Sequence, residues 1–174
     1  MTLLLSRRAF VGLGAGLASL ALISPASATV LVMPTGKKVL TITGKITNTN
    51  DGDAAVFDRP MLEALGLDQF ETTTPWYNGP VRFEGVRMQR LMQAVGASGE
   101  SVTAVALNDY TTELPIADFE RYGVLLAMKR DGNDMSVRDK GPLFIVYPYD
   151  SKPELKAQQF YARSAWQVAK LVVK

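Results

Sequence analysis

The sequence predicts a single mixed α+β domain made of short strands and short helices. Apolar residues recur at strand spacing in many short runs, while helical spacing is confined to a few brief stretches. No internal repeat or low-complexity segment interrupts them. A folded part spanning residues 29–174 is long enough for one domain with its own core.

The first 28 residues read as a leader rather than as part of that domain. Ser6-Arg7-Arg8-Ala9-Phe10-Val11 matches the twin-arginine export pattern, and Ala26-Ser27-Ala28 offers the small residues that signal peptidase accepts. The apolar run between them, Val11 to Ile23, is about 13 residues, short of the roughly 20 that span a bilayer. Cleavage after Ala28 is expected to release a periplasmic protein that does not insert into the membrane. The leader holds Arg7 and Arg8 and no acid, so the 19 basic residues fall to 17, level with the 17 acidic ones. A neutral mature chain gives no reason to expect nucleic acid as a partner.

Along the mature chain, Lys37 to Thr47 alternates as a strand around Leu40, Ile42 and Ile46, and Asn48 to Asp53 is dense in turn formers. That turn lacks the closing glutamate of a calcium loop. Asp58 is placed to cap a helix with Pro60 in its first turn, Met61, Leu62 and Leu65 on one face and Gly66 at its end. Leu67 to Thr72 is extended. Thr72 to Pro80 then reads as an irregular polar loop, because Pro75 and Pro80 each lack a backbone donor and bias the residue before them to extended geometry. A second helix is expected from Gly85, with Met88, Leu91, Met92 and Val95 at helical spacing. Strands follow at Ser101–Leu107, Thr111–Ile116, Val124–Lys129, Leu143–Tyr147 and Trp166–Val173. Short helices are expected at Ala117–Tyr122 and Pro153–Ser164.

Two residue types are missing altogether. Without cysteine there is no disulfide, haem thioether, iron–sulfur ligand or thiol nucleophile. Without histidine the Ser–His–Asp triad and the usual zinc and copper sites are excluded.

The ordered set of motifs resembles the molybdopterin-binding domain of the sulfite oxidase superfamily. Leu40-Thr41-Ile42-Thr43-Gly44-Lys45-Ile46 is similar to that family's opening strand, and Phe83-Glu84-Gly85-Val86-Arg87-Met88-Gln89-Arg90-Leu91-Met92 to its "W-x-G-V-x-L-x-x-L-L". Asn108-Asp109-Tyr110 with Leu114-Pro115-Ile116 is similar to "D-G-Y-x-x-x-I-P-L", and Leu125 to Gly132 to "L-L-A-Y-x-x-N-G". Lys140-Gly141-Pro142-Leu143 through Pro148 resembles "H-G-x-P-x-R-x-V-V-P", and Ala165-Trp166 falls where the family has "K-W". The resemblance covers roughly residues 39–173. It implies a single sulfite-oxidase-type domain with mixed sheets and short helices.

The departures bear directly on activity. The resemblance implies a metal-binding cysteine at or beside Thr72, and a Thr hydroxyl cannot replace a soft thiolate on molybdenum. The residues that would hold the cofactor's phosphate fall near Lys140, Phe144 and Ala165, so two of three lose their charge. Molybdenum cofactor and sulfite oxidation are therefore not expected. The resemblance is greatest to exported members lacking the cysteine. These bind a simple pterin without any covalent cofactor and report it to the periplasmic domain of a membrane-bound cyclic-di-GMP enzyme or sensor kinase.

A pterin site needs an aromatic face and short polar groups. Trp76 and Tyr77 offer faces, and Thr72, Thr73, Thr74 and Asn78 offer polar contacts. Asp109 and Asp150 are candidate acceptors for the ligand's donor edge, Arg163 is a candidate donor, and Tyr149 a further candidate wall. Each has a plainer reading: Trp76 as a cap on the core, the threonines as strand formers, Asn108 and Asp109 as an Asx turn, Arg163 as a salt-bridge residue. Trp166 reads as core. A molybdopterin-dependent oxidoreductase subunit and a ligand-free interaction module remain alternatives.

Overall fold

The computed structural model describes residues 31–174; the leader and its twin-arginine and cleavage motifs lie outside the described residues. Among the described residues, ten strands form two sheets. The first has the order β2-β1-β10-β5-β6, from β1 (Lys38–Gly44), β2 (Ala55–Asp58), β5 (Ser101–Ala106), β6 (Thr111–Pro115) and β10 (Val168–Val173). Its β1 and β10 run parallel and the other pairs antiparallel, which makes it a mixed sheet. The second is antiparallel, with β3 (Leu67–Thr74), β4 (Tyr77–Arg87) and β7 (Leu125–Arg130) in that order. The far edge of β7 is shared by β8 (Asn133–Asp134) and β9 (Phe144–Val146).

The patterns explain the pairing. In β5 only Val102, Ala104 and Ala106 are buried, the alternation of a strand with one covered face. In β7 Leu125 to Met128 are buried without a break, as is all of β9, because both of their faces are covered. A single apolar cluster draws Leu40, Ile42 and Phe57 from the first sheet and Phe83, Val86, Leu126 and Ile145 from the second. Four short helices close it: α1 (Arg59–Ala64), α2 (Met88–Ala94), α3 (Ala117–Tyr122) and α4 (Gln158–Arg163).

Asp58 caps α1 as expected. Its Oδ1 accepts from the Met61 amide at 3.0 Å, while Oδ2 takes the amides of Thr35 and Gly36 at 2.9 and 2.8 Å. These amide bonds, that of Gly36 foremost, hold its carboxyl below the usual range.

Three local expectations are corrected. Thr72 to Pro80 is a β-hairpin rather than an irregular loop. Thr72 pairs with Val81 and Thr73 with Pro80, then the register jumps so that Thr74 meets Tyr77. Asn78 and Gly79 form the bulge, and Gly79 takes φ +75° there. Pro80 is tolerated because β7 pairs with β4 only from Phe83 onward, leaving no ladder bond on that side for Pro80 to break. Gly85 to Arg87 belong to β4, and the helix starts at Met88. A Cβ on Gly85 would lie 2.1 Å from the Leu126 carbonyl oxygen, so glycine here serves close strand approach. Residues 153–164 are not one helix. A 3₁₀ turn (Pro153–Lys156) and α4 are separated by Ala157 in extended conformation.

Candidate functional site

A cavity of about 440 Å³ opens where three separate segments meet. The β3–β4 turn supplies Pro75 and Trp76, and the β5–β6 turn supplies Asn108 and Tyr110. The segment from α4 to β10 supplies Gln158, Tyr161, Ala162, Ser164 and Trp166. The volume suits a small organic molecule, and the wall is aromatic with a few polar groups, the usual make-up of a ligand pocket.

Trp76 is the centre of the wall. Its indole is edge-on to Phe144 (5.5 Å between centroids), Trp166 (5.4 Å), Tyr161 (6.1 Å) and Tyr149 (6.2 Å). The turn holds it there, with the Trp76 amide donating to Thr74 Oγ1 at 3.3 Å. Opposite, Tyr110 and Thr112 donate their hydroxyls to the Ala162 carbonyl at 3.3 and 2.9 Å, which ties α4 to the β5–β6 hairpin. The turn between β5 and β6 closes through an Asx bond from the Tyr110 amide to Asn108 Oδ1, 3.3 Å, with Asp109 left-handed at φ +62°.

Of the ten side chains proposed from sequence, Trp76 lines this cavity. Thr72 is buried, and its Oγ1 accepts from the Asp150 amide at 3.0 Å. Thr73 binds the Asp150 carboxylate through both amide and hydroxyl. Asp150 also pairs with Lys156 at 2.7 Å, and this ammonium, helped by the Thr73 amide, pulls its carboxyl down to about 2. Asp150 is thus turned to the end of β3, not to the cavity. Tyr149 is fully buried behind Trp76. Its hydroxyl bonds to Ser164 Oγ, and burial raises its pKa. Arg163 donates to Asp118 at 2.8 Å, and the same carboxylate oxygen takes the Tyr147 hydroxyl at 2.9 Å. Arg163 faces a second, shallower depression with Glu100, Ser101, Glu113 and Pro115. Asn78 and Asp109 are exposed and outside the lining.

Tyr77 leaves the cavity for a different cluster. The Arg130 guanidinium lies 4.5 Å from its ring centre and the Lys140 ammonium 5.4 Å. Burial is the first cause of its raised pKa. Lys140 also stands 4.7 Å over the ring of Trp166.

Sequence reasoning did not place Tyr110, Gln158, Tyr161, Ala162 and Ser164 in the pocket, and it assigned Trp166 to the core. A faint signal was present. Gln158, Tyr161 and Ala162 lie at i, i+3 and i+4, one face of α4.

One mixed and one antiparallel sheet carry this aromatic, ligand-sized cavity between a hairpin turn and a short helix. Residues 61–150 match the family model of the oxidoreductase molybdopterin binding domain, and the chain belongs to that family. The match takes in Trp76, Asn108 and Tyr110 and ends before α4. No curated protein matches the chain.

Proposed function

We propose that this protein is an exported, non-catalytic pterin-binding protein that relays ligand state to the periplasmic domain of a membrane-bound cyclic-di-GMP enzyme or sensor kinase. The observation that carries the reading is the Trp76 pocket in a molybdopterin-family domain without a single cysteine. Its wall offers ring faces and uncharged polar groups to a flat heteroaromatic.

The donor set does not fit molybdenum. Thr72, at or beside the position where the resemblance implies a thiolate, offers a hard oxygen already bonded to the Asp150 amide. Among the described residues, no group of three or more carboxylates could hold another metal. The expected binding mode is reversible stacking against Trp76, with the surrounding loops carrying the change to a partner.

Extraction of the protein purified from a periplasmic fraction tests this reading. Fluorescent pterin released in proportion to protein, without molybdenum, supports it. Stoichiometric molybdenum overturns it in favour of an oxidoreductase subunit.

A further inference from the structure

We infer that the Trp76 pocket selects uncharged planar ligands and excludes anionic ones, with the amides of Gln158 and Asn108 making the polar contacts. This deepens the pterin reading and rests on it.

Among the described residues, the lining contains no carboxylate, ammonium or guanidinium. Charged side chains near it are committed elsewhere: Arg163 to Asp118 at 2.8 Å, Lys156 to Asp150 at 2.7 Å. Lys140 rests its ammonium over the rings of Trp166 and Tyr77 and is not part of the lining. A carboxylate or phosphate entering the cavity would give up water without meeting a charged group among the lining residues, which is unfavourable. An uncharged ring meets no such penalty.

The polar groups of the wall differ in what they have left to give. Ser164 Oγ donates to the Phe160 carbonyl at 2.9 Å and is bonded to the Tyr149 hydroxyl. The Ala162 carbonyl already accepts from Tyr110 and Thr112. Asn108 uses its Oδ1 in the turn and keeps its NH₂ free. Gln158 is exposed at the mouth and, among the described residues, bonds to nothing through either end of its amide. It offers one acceptor and two donors without charge, which suits the mixed donor–acceptor edge of a pterin. Gln158 and its neighbours on α4 lie beyond the residues that the family model matches.

The test titrates tryptophan fluorescence at pH 7 with two probes sharing one ring, 6-hydroxymethylpterin and pterin-6-carboxylate. The uncharged probe is expected to bind about tenfold or more tightly than the anionic one. Gln158→Leu should weaken 6-hydroxymethylpterin about tenfold, the loss of a hydrogen bond or two, while the unfolding temperature stays put. Gln158→Arg should admit the carboxylate. Equal or tighter binding of the carboxylate by the wild-type protein overturns the inference and leaves the pterin reading standing. Carboxylate binding that disappears in Lys140→Met overturns it too, by assigning the anion to Lys140. If neither probe binds, the pterin reading itself falls.

Discussion

Asp150 is bonded to Thr73 twice, its two carboxylate oxygens taking the Thr73 amide at 2.5 Å and the Thr73 hydroxyl at 2.8 Å. Returning the contact, the Asp150 amide donates to Thr72. These bonds clamp the end of β3 to the 3₁₀ turn at Tyr149–Ser151, and so fix the strand that enters the Trp76 turn. Asp150, a candidate for ligand contact from sequence, is a structural latch outside the lining of the cavity.

That latch is pH-sensitive. Asp150 sits well below its ordinary carboxyl value of 3.8, at about 2 in the folded protein, chiefly through Lys156. A depressed folded value means the contribution is complete above about pH 4 and disappears as pH falls toward 2. The carboxylate is about one-third exposed, so screening limits the contribution to about 1 kcal/mol. Asp150→Asn should therefore be less stable than the wild type at pH 7, with the gap closing below pH 2. Urea unfolding at both pH values checks this; a gap independent of pH would show that the charge is immaterial.

Trp76 serves both wall and core, and two substitutions separate the roles. Trp76→Ala removes four edge-on aromatic contacts and should cost about 2–4 kcal/mol, with loss of ligand binding. Trp76→Phe keeps a ring in the cluster and should retain most stability while weakening pterin binding about tenfold. Thermal unfolding alongside a pterin fluorescence titration reads both. Unchanged affinity in Trp76→Phe would remove the indole from the binding site.

Gly85 reports on the sheet rather than the pocket. An added methyl at 2.1 Å from the Leu126 oxygen must push β4 from β7, in a stretch where both strands are buried. Gly85→Ala should lower stability by about 3 kcal/mol. A urea midpoint within error of the wild type would contradict the close approach.

Much of this fold is readable because its signals are local. The unbroken apolar runs at Leu125–Met128 and Phe144–Val146 announce strands covered on both faces, and Asp58 with Pro60 announces a capped helix. The hairpin at 72–80 is masked in the sequence because Pro75 and Pro80 are strong breakers whose effect depends on neighbours. One occupies a turn and the other a stretch of β4 lacking a β7 partner. The pocket is harder still. Its residues come from around 75–76, 108–110 and 158–166, and only the meeting of two turns with α4 and the segment after it brings them together. Trp76 was legible as an aromatic in a polar turn. Trp166 reads as core, and nothing in a single stretch marks Gln158 and Tyr161 as facing the same cavity.

Thr72 tests whether the metal chemistry could return by one substitution. Its hydroxyl is the acceptor for the Asp150 amide, and its side chain is absent from the lining of the Trp76 cavity. Thr72→Ser should be close to wild type. Thr72→Val keeps the shape and leaves that amide without its acceptor, at a cost of about 1–3 kcal/mol. Thr72→Cys should fall between them, because a thiol is a weaker acceptor than a hydroxyl. A thiol in the Thr72 rotamer would point at the Asp150 amide rather than into the cavity, so Thr72→Cys made in a cofactor-producing host should carry no stoichiometric molybdenum. Metal analysis of the purified variant decides it, and one molybdenum per chain would mean that Thr72 reaches the ligand site after all.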